Sequence, residues 1–147
     1  MAEFSKLQIK EKITNLLFQQ KLAVLATRDE KRTHSSLIAF AYTKDLKYII
    51  FATSKDTIKY ENIQKYPHIS LLVDNRKNIQ KDFEDAVALT VMAKGTTIEK
   101  QVYLDLYLAR FPDLKEFLED PQTALILLKV QKYMYVFRFQ EIVELKM

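Results

Sequence analysis

The chain has 147 residues, 48% hydrophobic and 29% charged, the balance of a soluble globular protein rather than a disordered or membrane-spanning one. It contains no cysteine, which excludes disulfides, thiolate metal sites and thiol catalysis, and its only two histidines, His34 and His68, have no ligand cluster around them, so no metal site is expected. The net charge of +4 is uneven, with 11 Lys and Arg against 6 Asp and Glu in residues 1–60 and 12 against 13 in the remainder.

Residues 4–20 read as an amphipathic helix, with Ile9, Ile13, Leu16 and Leu17 on one face and Ser5 placed to cap it. Lys6, Lys10, Glu11 and Lys12 interrupt its apolar residues, so residues 1–20 do not read as a signal peptide. No later aliphatic run approaches the ~20 residues of a membrane span. A single cytoplasmic domain over 1–147 is expected. Strands follow at 22–28 (LAVLATR), 34–43 (HSSLIAFAYT) and 47–53 (KYIIFAT), with the charged turn 29–32 between the first two. The small residues Ser35, Ser36, Ala39 and Ala41 leave room beside the second strand for a flat ligand, a helix or a partner subunit.

Residues 51–76 combine a strand end, a polar turn, a short helix over 57–66, the stop at Pro67 and a buried strand at 69–73 (ISLLV). Thr53, Ser54, Thr57 and Lys59 cluster where that helix begins. Its backbone N–H groups favour an anion there, while the plainer reading of these residues alone is that Asp56 or Thr57 caps the helix and Lys59 faces water. An exposed loop spans 75–85, with Phe83 as its expected anchor. A long strand at 86–98 turns Val87, Leu89, Val91 and Ala93 to one face and is expected to bend at Gly95, the only glycine. Residues 101–110 read as a helix with Val102, Leu106 and Ala109 on one side and Leu104 and Leu108 beside them, followed by a second helical piece at 113–118. The last strands are 123–130 and 133–139, separated by Gln131 and Lys132, and Arg138 either pairs with an acidic residue or meets an anion. The expected fold is mainly β: a closed or split barrel of six to seven antiparallel strands, with an N-terminal helix and two further helical segments.

The order of these elements, with LAVLATR, the strand pair through Thr53, Thr57-Ile58-Lys59, Asn62-Ile63, Pro67 and ISLLV, resembles the pyridoxamine 5′-phosphate oxidase-like, FMN-binding split-barrel superfamily. The resemblance implies an FMN cofactor, redox chemistry carried by the flavin on a small-molecule substrate, and a homodimer with the cofactor in the groove between subunits. It implies that Thr53, Ser54, Thr57 and Lys59 contact the phosphate, that Asn62 reaches the cofactor, and that Leu37, Ile38, Ala39 and Phe40 present backbone groups to the ring. Where the oxidase proper grips phosphate with Ser-Arg-Lys, this chain has Thr57-Ile58-Lys59, and a basic strand position is Ser36. Each lost charge-assisted bond is worth about 1.5–3 kcal/mol. Arg28 and Arg76 are the candidate replacements, and the missing cations argue against the oxidase's own substrate more than against FMN. No residue is nominated as acid or base. Neither nucleic acid nor a membrane is an expected partner. The alternatives are haem bound through His34 or His68, and a dimeric scaffold without cofactor.

Overall fold

The computed structural model describes residues 4–147; the first three residues of the expected 1–147 domain lie outside them. Among the described residues are seven strands and five α-helices. Helix α1 (Lys6–Gln19) starts at Ser5, whose hydroxyl accepts the Gln8 N–H while the Gln8 side chain accepts the Ser5 N–H, a reciprocal capping box. Strands β1 (Leu22–Arg28), β2 (Thr33–Tyr42), β3 (Tyr48–Ser54), β4 (His68–Asp74), β5 (Val87–Ile98), β6 (Thr123–Phe137) and β7 (Glu141–Lys146) pair antiparallel in the order β3-β2-β1-β4-β5-β6-β7.

Strand β3 also pairs with β6, so β1 to β6 close into a barrel and β7 is added beside it. The length of β6 makes this possible. One of its edges follows β5 throughout, while on the other residues 123–129 pair with β3 and residues 132–137 with β7. This is the split barrel expected from the sequence. Leu25, Phe40, Phe51, Leu71, Val91 and Ile126 fill the interior, and Ile9, Ile13, Leu16 and Leu17 of α1 join the same cluster. A second cluster lies outside the barrel, where Tyr107 and Leu118 pack on Ala41, Ile50 and Leu125 of β2, β3 and β6. It is formed by α4 (Leu104–Arg110) and α5 (Lys115–Glu119). The remaining helices are α2 (Ile58–Lys65) and the single turn α3 (Asp82–Asp85).

The structure corrects several local expectations. Gly95 does not bend β5; it stays in register opposite Leu128, and the irregularity falls between Met92 and Ala93. There Gln131 is the extra residue on β6, so 131–132 is a bulge within one strand and not a turn between two. The bulge shifts the inward phase from Ala124, Ile126, Leu128 and Val130 to Tyr133 and Tyr135. Phe83, the expected anchor of its loop, is 60% exposed and makes its ring contact with Phe139, edge-on at 4.8 Å, outside the core. The helix expected at 101–110 divides into a 3-10 turn (Lys100–Val102) and a helix over 104–110, which packs Tyr107 inward with Leu104 and Leu108 beside it and leaves Val102 and Leu106 exposed. Arg138 is in the turn before β7, with φ 50°, paired to Glu141 at 3.0 Å.

Candidate functional site

Strands β2 and β3 pair only at Phe40–Phe51, Ala41–Ile50 and Tyr42–Ile49, although β2 runs back to Thr33 and β3 continues to Ser54. Beyond Phe40 they diverge, β2 following β1 and β3 following β6. The gap is a groove of about 340 Å³. Leu37, Ile38 and Ala39 form one wall, Ala52, Thr53 and Ser54 the other, Thr57 and Lys59 one end, and Tyr107, Leu114 and Phe117 cover it. The divergence leaves Leu37 to Ala39 without a β3 partner, and Tyr107 fills part of that vacancy: its O–H donates to the Ala39 carbonyl at 2.8 Å. Burial pushes this phenol up to about 12, so it remains a donor throughout the neutral range.

The polar end is a connected set of hydroxyls. Thr57 caps α2: its Oγ1 accepts the Tyr60 N–H at 3.3 Å and donates to the Ser54 carbonyl at 2.9 Å. Thr53, fully buried, shares a hydrogen bond of 3.0 Å with Thr57. The Ser54 hydroxyl donates to the Asp56 carboxylate at 2.5 Å. The residues expected to seat an anion are therefore the ones that cap α2. Lys59 is half-buried at its edge and, among the described residues, forms no ion pair. Ile58 is 57% exposed beside it.

The groove thus gathers Leu37, Ile38, Ala39, Thr53, Ser54, Thr57 and Lys59, while three other expected residues lie elsewhere. Phe40 is wholly inside the barrel. Asn62 is buried under α2, where its Nδ2 donates to Thr27 Oγ1 at 3.1 Å. Arg76 pairs with Asp74 at 3.1 Å and lines a separate apolar cavity of about 470 Å³ with Leu72, Ile79, Phe83 and Phe139. Arg28 stacks on the Tyr66 ring at 4.1 Å and lines the 28–33 turn instead of the groove. Neither His34 nor His68 lines the groove. Ser36 Oγ is buried without a hydrogen-bond partner. Tyr107, Leu114, Phe117 and Ala52 were not expected at the site; the i, i+4, i+8 spacing of Tyr103, Tyr107 and Phe111 was the available signal for a packed aromatic face.

Leu37 also begins a row of exposed and half-buried side chains. Leu37, Val24, Leu72, Thr90 and Met134 lie side by side across β2, β1, β4, β5 and β6. Leu37 is 66% exposed and Met92, one position along, 38%, so the outer sheet face next to the groove is largely apolar.

Residues 9–137 match the family model described as pyridoxamine 5′-phosphate oxidase. No curated protein matches the sequence. Among solved structures, General Stress Protein 26 from Bacillus anthracis aligns with a TM-score of 0.74 at 23% identity, over 95% of this chain and 98% of that one. A FAD-binding protein from Mesorhizobium loti gives 0.70 at 14% identity, over 90% and 92%. A heme binding protein from Mycobacterium smegmatis gives 0.83 at 12% identity; the alignment takes in 99% of this chain but only 60% of that one. At these identities the likeness is one of fold.

Proposed function

The chain belongs to the pyridoxamine 5′-phosphate oxidase family, and from that premise we propose that it binds FMN in the β2–β3 groove and serves as a flavin-dependent oxidoreductase on a small-molecule substrate. The carrying observation is the groove's polarity: hydroxyls, the α2 N-terminus and Lys59 at one end, and an apolar slot with unpaired strand edge at the other. That donor set suits a phosphate joined to a flat ring. Thr53, Ser54, Thr57 and Lys59 would hold the phosphate end, the β2 edge from Leu37 to Ala39 the ring edge, and Tyr107 with Phe117 one side of the ring. The bound flavin supplies the redox chemistry, while the protein binds, orients and shields it.

A volume of about 340 Å³ is at the small end of ligand pockets, which run from ~300 to 1,000 Å³. A second copy seated on the Val24, Leu72 and Met92 face would deepen the slot and cover the apolar row, so the working form is a homodimer, in a cytoplasmic setting. The test is purification with added FMN followed by absorbance and titration. Retained yellow colour and a measurable Kd are expected, and Lys59→Ala should weaken FMN about tenfold or more, as loss of a charge-assisted bond requires. Colourless protein with no FMN affinity removes the reading.

Haem is the second reading, favoured by the fold shared with a heme binding protein. Haemin added in the same experiment would then give an intense Soret band that His34→Ala or His68→Ala abolishes. Protein that takes neither ligand would be a scaffold without cofactor.

A further inference from the structure

The seat at the head of α2 is poor in charge and in available protons. Each of its three hydroxyls already has a hydrogen-bond partner within the protein: Thr57 donates to the Ser54 carbonyl, Thr53 lies within reach of Thr57 and of the Ser54 carbonyl, and Ser54 donates to Asp56. The position between Thr57 and Lys59 is Ile58, which offers no hydrogen bond, and Arg28 and Arg76 are engaged elsewhere. Lys59 is left as the cation lining the groove, against the carboxylate of Asp56 that holds Ser54. Asp56 also stands in the turn immediately before α2, so its negative charge is carried one residue from the cap Thr57.

From this arrangement we infer that Asp56 is a specificity-determining residue: it competes with the ligand's phosphate for Ser54 and opposes its charge, and so narrows the groove's preference for FMN over uncharged flavins. The inference rests on the flavin reading above. The ring is held by the slot between β2 and β3, which is indifferent to the tail. A phosphate gains Lys59 but must displace or repel Asp56, so FMN exceeds riboflavin in affinity by no more than about tenfold. A seat with a guanidinium in place of the Ile58 side chain would add roughly ten- to a hundredfold.

The experiment titrates the 147-residue protein, its Asp56→Asn and its Ile58→Arg variants with FMN and with riboflavin, following flavin fluorescence at fixed ionic strength. Asp56→Asn keeps an acceptor for Ser54 and removes the charge. It should tighten FMN by about three- to tenfold, the scale of one exposed charge acting on a dianion through screened water, and leave riboflavin unchanged. Ile58→Arg should tighten FMN further, again without touching riboflavin. Both positions are exposed, so circular dichroism should report an unaltered fold. Equal FMN affinity in the natural protein and Asp56→Asn overturns the inference, as does a preference for FMN over riboflavin clearly beyond about tenfold, and either result leaves flavin binding standing. Failure of both flavins to bind overturns the functional reading itself.

Discussion

Placing a side chain at Gly95 tests the joint between α2 and the barrel, and through it the position of the proposed seat. A Cβ on Gly95 would come to 3.0 Å from Ile63 Cγ2, 3.2 Å from Leu128 Cδ2 and 3.7 Å from Ile126 Cγ2. Ile63 is 1% exposed and Leu128 fully buried, so neither has open space into which to move. Two effects oppose each other. Replacing glycine reduces the entropy of the unfolded chain and stabilises by about 0.4–1 kcal/mol where the backbone allows it, and Gly95 has no positive φ to forbid it. Overpacking a closed core costs about 1–3 kcal/mol. For Gly95→Ala the two nearly cancel. Gly95→Val adds two further methyl groups at the same spot, so the steric term prevails with a net loss of about 2 kcal/mol. In a chain of this size that is a fall in Tm of roughly 4–8 °C. Thermal and urea unfolding of both variants measure it, and FMN titration should show weaker binding in Gly95→Val, because α2 carries Thr57 and Lys59. Gly95→Val as stable as the natural protein would refute the close-approach account and restore glycine as a merely flexible residue.

Arg110 donates from Nη2 to the Leu17 and Gln20 carbonyls at the end of α1, so Arg110→Ala should cost about 2–3 kcal/mol in urea unfolding, with Arg110→Lys recovering only part. Stability should decline at alkaline pH: the folded Tyr107 phenol is raised to about 12 against about 10 unfolded, so its contribution is whole below pH 10 and disappears as pH rises through 12. Tyr133 is shifted in the same direction by burial, so Tyr107→Phe should flatten the alkaline limb of the stability profile without removing it. Tyr133→Phe leaves the Leu46 carbonyl without its 2.6 Å donor inside the core and should cost about 1–3 kcal/mol in the same assay. Leu72→Glu places a charge in the middle of the exposed apolar row; sedimentation should find it monomeric with weakened FMN binding, and an unchanged dimer would move the interface to another face.

Strand identities were legible because barrel strands alternate. The alternation of residues 22–28 marks both ends of β1, and Ser5 marks the start of α1, since both depend on neighbours two to four residues away. Thr57 illustrates a local signal with two meanings: the cap uses the same oxygen that the proposed seat would use, so the sequence pattern is the same for both. Errors arose where a distant partner decided. Gln131 and Lys132 look like a turn until β5 is known to continue past them, and Val102 and Leu106 look like core until α4 is seen to present Tyr107 to β2 and β3. Strand β7 was missed because Glu141, Glu144 and Lys146 dilute it, and its place is fixed only by the free edge of β6. Asn62, Phe40 and Arg76 were assigned by position along the motif, but side-chain direction at each is set by packing against β1, the barrel interior and Asp74.

The amino-acid order by itself determined a cysteine-free, mainly β chain, the strands of a split barrel and the polar head of α2, because periodicity and capping are short-range properties of the backbone. Only the tertiary structure decided that β2 and β3 part company after Phe40 and that Tyr107 occupies the opening. Those follow from β3 pairing with β6, from Ser54 opposite Thr123 to Tyr48 opposite Lys129, a long-range hydrogen-bond choice to which no local pattern is sensitive.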